Sequence, residues 1–382
     1  MKNFRMLFAC FTVFVLSSAP SYGAEMKMFP IGALFPMTGP QAYYGRVMSR
    51  GARTAIDHIN ADGGVQGYKL KLSITDFQNI DASLAITGLQ KMTITKNIPF
   101  LLTSFSAITL AVQPICTSAN ILMINGGAYS PKIMNKAYLH TIRLSQDQMI
   151  PPMLRYFWRM NVRRLGLIYT ADAGAEVPVQ KYIKPLWTQM GGTIVAEESH
   201  PPGLTDYNEH LTRIKAGKPD AIYGISTGQD QAFIVRQTRE MGMDIPMSIA
   251  DWNADYQAIA GKTSENIYIP LDYFDRERSD PLTERFVKDY EAKWKEPASM
   301  YSANYYDAVY NILAELIKRV VKNGGNPLRG EELEKAIWTD PSFKTVYGGK
   351  IKLNQDGSSD KPMVIFKLTD GKKVVDKHIV LE

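Results

Sequence analysis

Ile31-Gly32-Ala33-Leu34-Phe35 leads through Pro36-Met37-Thr38-Gly39-Pro40 and Tyr44-Gly45 into Ala55-Ile56-Asp57-His58-Ile59-Asn60-Ala61, and the run closes on Asp62-Gly63-Gly64-Val65-Gln66-Gly67. The opening apolar run, with no polar alternation, predicts a strand buried on both faces, the habit of parallel sheets. Between residues 45 and 60, Val47, Ala52, Ala55, Ile56 and Ile59 recur at close to the helical period and predict an amphipathic helix. Gly63-Gly64 stops it, because glycine accepts the left-handed backbone of a helix terminus. A strand over 70–75 completes a strand-helix-strand unit, the building block of α/β folds.

Outward from that unit the alternation continues. Helices are predicted at 83–95 and 110–119, with strands at 100–103 and 121–124. Further along, helices at 149–160, 177–190, 207–215 and 229–241 alternate with strands at 165–169, 193–196, 221–225 and 246–250. Such alternation implies mainly parallel sheets with helices on both faces. The last third differs: two longer helices at 281–294 and 302–321, then short antiparallel strands at 348–353 and 362–368 around an Asp356-Gly357 turn. A chain of 382 residues exceeds what one hydrophobic core serves, so two lobes are expected.

Lys2 and Arg5, an apolar stretch over 6–16 and Ser21-Tyr22-Gly23 read as a secretory signal peptide spanning residues 1–23. The expected address is the periplasm. Cleavage there removes two basic residues and no acidic one, taking the formal charge from +6 to +4. The residual excess is scattered, without basic blocks and interleaved aromatics, so nucleic acid is a poor partner. Cleavage also removes Cys10 and leaves Cys116 alone, so no disulfide forms within one mature chain. Cys116 sits in an expected helix as a small buried hydrophobe. The five histidines make no H-E-x-x-H pattern, and no phosphate-binding glycine loop is present, so no metal or cofactor is expected.

The opening stretch resembles that of leucine/isoleucine/valine-type solute-binding proteins, and so do Ile121-Leu122-Met123-Ile124-Asn125-Gly126-Gly127-Ala128, Arg236-Gln237 with Met241-Gly242, and Tyr306-Asp307-Ala308-Val309. The resemblance implies the type I periplasmic-binding fold: two α/β lobes joined by three crossing strands, with ligand bound between them. Crossings near Ser145, Phe274 and Tyr347 would divide the mature chain into a first lobe of 24–145 plus 275–346 and a second of 146–274 plus 347–382. It further implies a monomeric, non-enzymatic substrate-binding component of an ABC importer. Such a protein closes on a small ligand bearing a carboxylate and docks on an inner-membrane permease. A periplasmic sensor of the same fold is the alternative.

Carried over position by position, the resemblance implies that Tyr44 packs on the ligand at the cleft mouth; a plain surface-loop tyrosine is the other reading. Ser106 matches the hydroxyl that holds a carboxylate, or is an ordinary helix N-cap. Gly127, Ala128 and Tyr129 fall where backbone groups meet the ligand's head. Thr227 or Gly228 lies where another tyrosine is usual. Asp251 replaces a glutamate that pairs an ammonium, or caps a following helix. Trp252 walls the pocket or covers core. These departures leave open a branched-chain or other hydrophobic amino acid, an aromatic carboxylate, or an amide.

One motif points elsewhere. Gly224-Ile225-Ser226-Thr227-Gly228 spells the G-x-S-x-G of a nucleophile elbow between strand and helix. Chain order permits Ser226, Asp251 or Asp272, and His378 as a hydrolase triad, while His200, ahead of Pro201-Pro202, reads as a solvated loop residue.

Overall fold

The computed structural model describes residues 26–226 and 228–379; the predicted signal peptide and Thr227 lie outside these residues. The first sheet contains β1 (Lys27–Phe35), β2 (Tyr68–Asp76), β3 (Phe100–Thr103), β4 (Leu122–Asn125) and β5 (Leu139–Thr141). Its order is β2-β1-β3-β4-β5, all parallel. Both faces are buried. Phe35, Phe100, Leu102 and Ile124 join one core, while Leu34, Leu101 and Met123 join another on the opposite side. Between β1 and β2 runs the helix Ala42–Ala61, capped by Asp62, and the chain turns through Gly63 and Gly64 at φ 92° and 83°.

The second sheet begins with β6 (Arg164–Thr170), β7 (Thr193–His200), β8 (Ala221–Ile225), β9 (Met247–Ser248) and β10 (Ile267–Asp272). No strand was predicted at β10, and Pro270 lies in its middle, a residue that interior strands rarely hold. The sheet tolerates it for a local reason. Its parallel neighbour β9 pairs only with Ile267 and Tyr268, so no ladder on that side reaches the proline. The helices Pro281–Trp294 and Met300–Asp307 return to the first lobe, where Gly51 lets the helix Ala42–Ala61 approach the Ser302 carbonyl.

The C-terminal region departs from the predicted hairpin. The strands β11 (Ser342–Lys344), β12 (Lys350–Leu353) and β13 (Ser359–Asp360) form their own small antiparallel sheet. Its Asp356-Gly357 turn accepts hydrogen bonds from the N–H groups of Asn135 and Thr141, beside the first sheet. By contrast, β14 (Met363–Thr369) and β15 (Lys372–Ile379) join the second sheet, whose order is β15-β14-β10-β9-β8-β6-β7. The strands at 348–353 and 362–368 therefore belong to different sheets. Among the described residues no helix is long and apolar enough to cross a membrane.

Candidate functional site

Open α/β sheets bind ligands beyond the carboxyl ends of their strands. Here the two sheets turn those ends toward each other. From the first lobe, Tyr44 places its hydroxyl 2.9 Å from the Tyr256 hydroxyl and 3.3 Å from Asp251 Oδ2, both on the second lobe. Tyr44 is buried, and its ring meets Phe105 and Tyr301 edge-on. Burial pushes its phenol well above the usual range, so it stays a donor. Nearby, Gln41 faces Gly228, where a Cβ would collide with the glutamine amide.

Asp251 is buried and already paired: Oδ1 accepts from Lys373 Nζ at 3.1 Å, and Tyr44 serves Oδ2. It does not cap the following helix. Asn253 does, its Oδ1 accepting the N–H groups of Asp255 and Tyr256. Trp252 is core, its indole N–H donating to Gln257.

Ser106 is the first residue of the helix Ser106–Ser118, and its hydroxyl accepts the Ser130 N–H at 3.1 Å. The cap position falls instead to Phe105, held at φ 58°. The N–H groups of Gly127 and Ala128 both donate to Asn125 Oδ1, at 3.1 and 2.7 Å. Those donors serve the turn. Tyr129 lines a cavity between the lobes, and burial raises its phenol to about 12.

That cavity brings Tyr129 together with residues the sequence reading passed over. Arg143 and Gln146 supply its polar groups, and Met149, Ile150, Tyr223 and Ile249 are among its apolar walls. Arg143 is 1% exposed and lies 5.4 and 5.1 Å from the ring centroids of Tyr129 and Tyr301. The available signal was an arginine set between Ile142 and Leu144, in a run otherwise suited to a core.

The structure also corrects the reading of His200. It ends β7, which runs on to residue 200 rather than stopping at 196, and it is fully buried. Its Nε2 lies 2.8 Å from Ser226 Oγ and its Nδ1 2.8 Å from the Pro201 carbonyl, with Asp230 Oδ2 at 3.9 Å. The carbonyl accepts a hydrogen bond from Nδ1–H, so in the neutral ring Nε2 accepts from the serine hydroxyl. Ser226, itself buried, thus pairs with His200; the side chain of His378 lies outside the described residues.

Two α/β lobes, joined by several chain passages and latched by Tyr44 across an internal cavity, define a cleft-type solute-binding protein. The chain belongs to the periplasmic binding protein family, whose profile matches residues 29–373. It is 24% identical over 326 residues to the leucine-, isoleucine-, valine-, threonine- and alanine-binding protein of Pseudomonas aeruginosa, covering 83% of this chain and 85% of that one. A Leu/Ile/Val-binding protein homolog 7 of Brucella abortus is 26% identical over 380 residues, covering 94% and 92%. Two solved structures share the fold. The branched-chain amino acid substrate-binding protein LivJ of Streptococcus pneumoniae, in complex with isoleucine, has a TM-score of 0.82 at 23% identity, covering 93% and 99%. A Rhodopseudomonas palustris ABC transporter solute-binding protein, in complex with benzoate, has a TM-score of 0.80 at 20% identity, covering 93% and 98%.

Proposed function

We propose that this protein is the periplasmic substrate-binding component of an ABC importer, capturing a small hydrophobic ligand by hinge closure and delivering it to an inner-membrane permease. One observation carries the reading: Tyr44 of one lobe is hydrogen-bonded to Asp251 and Tyr256 of the other, over a cavity walled by both. Residues 1–23 act as the export signal, and the third chain passage lies at Lys361-Pro362 rather than Tyr347, because β13 stays with the first lobe and β14 with the second. No covalent chemistry is part of the cycle. The Ser226–His200 pair anchors the cleft loop that faces Gln41.

Thermal shift and calorimetry on the mature protein test this, using leucine, phenylalanine, benzoate, benzamide and succinate. A bound ligand at 100 times its Kd stabilises by about 2.7 kcal/mol. We expect at least one member to bind, and Tyr44→Phe to speed its dissociation severalfold by loosening the closed form. Release at the wild-type rate would remove Tyr44 from the latch; silence across the panel and its close analogues would count against a solute of this class.

A further inference from the structure

We propose that Arg143 is the anion anchor of the cleft and selects a ligand carrying a carboxylate without an amino group; this rests on the solute-binding reading above. Three observations support it. Arg143 is a buried cation whose polar contacts are poor substitutes for a counter-ion. Its Nη1 meets the thioether of Met300 at 3.6 Å, the guanidinium bonds the Tyr301 hydroxyl, and Nε finds no acceptor among the described residues. A thioether is a weak acceptor, and an arginine cannot shed its proton to escape burial.

The second observation concerns the nearest carboxylate. Asp272 Oδ1 is 3.8 Å from Arg143 Nε, beyond a hydrogen bond, and accepts the Leu144 N–H at 3.2 Å. Its Oδ2 is 3.4 Å from Lys361 Nζ. Asp272 thus faces both Arg143 and Lys361, with Asp307 as a further carboxylate near Lys361, and Arg143 has no carboxylate within hydrogen-bond distance among the described residues. Gln146, which lines the same cavity, has a buried Oε1 with no hydrogen-bond partner among the described residues. A half-turn of that amide points an N–H at the same spot. A planar fork with a free N–H, sandwiched between Tyr129 and Tyr301, suits a carboxylate next to an apolar body.

The third observation concerns the other end. Asp251, the residue expected to hold a ligand ammonium, is engaged by Lys373 and Tyr44. A ligand amine would have to displace a cation the protein supplies itself, whereas a plain carboxylate needs no such exchange.

Matched probes test this with the mature protein by calorimetry: benzoate against benzamide, and 4-methylpentanoate against leucine. We expect each acid to bind at least about tenfold more tightly than its partner, since charged hydrogen bonds are the stronger kind. Arg143→Gln should bring the benzoate-to-benzamide affinity ratio down to about one, and Arg143→Lys should restore part of it. The unliganded melting temperature confirms that each variant is folded; if Arg143→Gln is not, the wild-type ratios and the lysine variant decide. Leucine bound more tightly than 4-methylpentanoate, or an undiminished benzoate preference in folded Arg143→Gln, overturns the proposal and leaves the binding-protein reading standing. No binding by any probe overturns both.

Discussion

His200 shows how one buried side chain responds to its surroundings. Burial holds its imidazole below the usual range, only partly opposed by the Pro201 carbonyl and Asp230, while His210 nearby adds to the lowering. Tyr207 packs edge-on against the ring. Below the ordinary histidine value of about 6.5, the unfolded chain takes up a proton that the folded protein resists. Stability from this residue is therefore complete above that value and lost as pH falls through the window beneath it. Urea unfolding between pH 7 and 5 should show wild type losing stability relative to His200→Gln, with a slope of at most about 1.4 kcal/mol per pH unit. Parallel curves would place the proton uptake elsewhere. Nothing in the sequence announced this: His200 read as a loop residue because Pro201-Pro202 follows it, and only the length of β7 carries it into the interior.

Elements were more legible than single side chains, and the reasons lie in their local chemistry. The helix Ala42–Ala61 could be read from its apolar spacing, and its end from Gly63-Gly64. The two glycines are not equivalent. Both have positive φ, but a Cβ at Gly64 would run into the Tyr68 carbonyl, whereas one at Gly63 meets no atom of the described residues within 4 Å. Gly63→Ala should cost about 1 kcal/mol for its backbone alone, and Gly64→Ala distinctly more, because a main-chain oxygen must also move. Chemical denaturation midpoints of the two variants check the ordering; equal losses would mean that the loop at 65–68 yields freely. Where elements were misread, the signal was non-local. β10 was not predicted at all, and the predicted hairpin from 348 to 368 ignored that its two strands have separate partners. Which strand pairs with which is decided by distant residues.

Across the whole molecule, Lys361 ties the chain passages together. It is 5% exposed, and its ammonium donates to the Ile142 carbonyl at 2.8 Å and Asn304 Oδ1 at 2.5 Å, with Asp272 Oδ2 at 3.4 Å. Burial lowers its pKa to about 8 despite the nearby Asp272 and Asp307. Lys361→Met removes this cation and leaves Asp272 and Asn304 short of a partner inside the protein. A loss of about 3–5 kcal/mol is expected, as for breaking one side of a buried pair. Equilibrium denaturation at pH 7 measures it; a loss below about 1 kcal/mol would show that Arg143 takes over Asp272. The sequence by itself determined the α/β class, most helices and strands, and the family resemblance, because period and glycine placement act over a few residues. It also brought Tyr44, Tyr129 and Asp251 to notice as candidate site residues. Only the tertiary structure decided that Asp251 faces Lys373 across 122 positions, that Arg143 is a buried cation, and that Ser226 meets His200. Those pairings join segments far apart in the chain, and an ionic or hydrogen-bonded contact leaves no local pattern at either end.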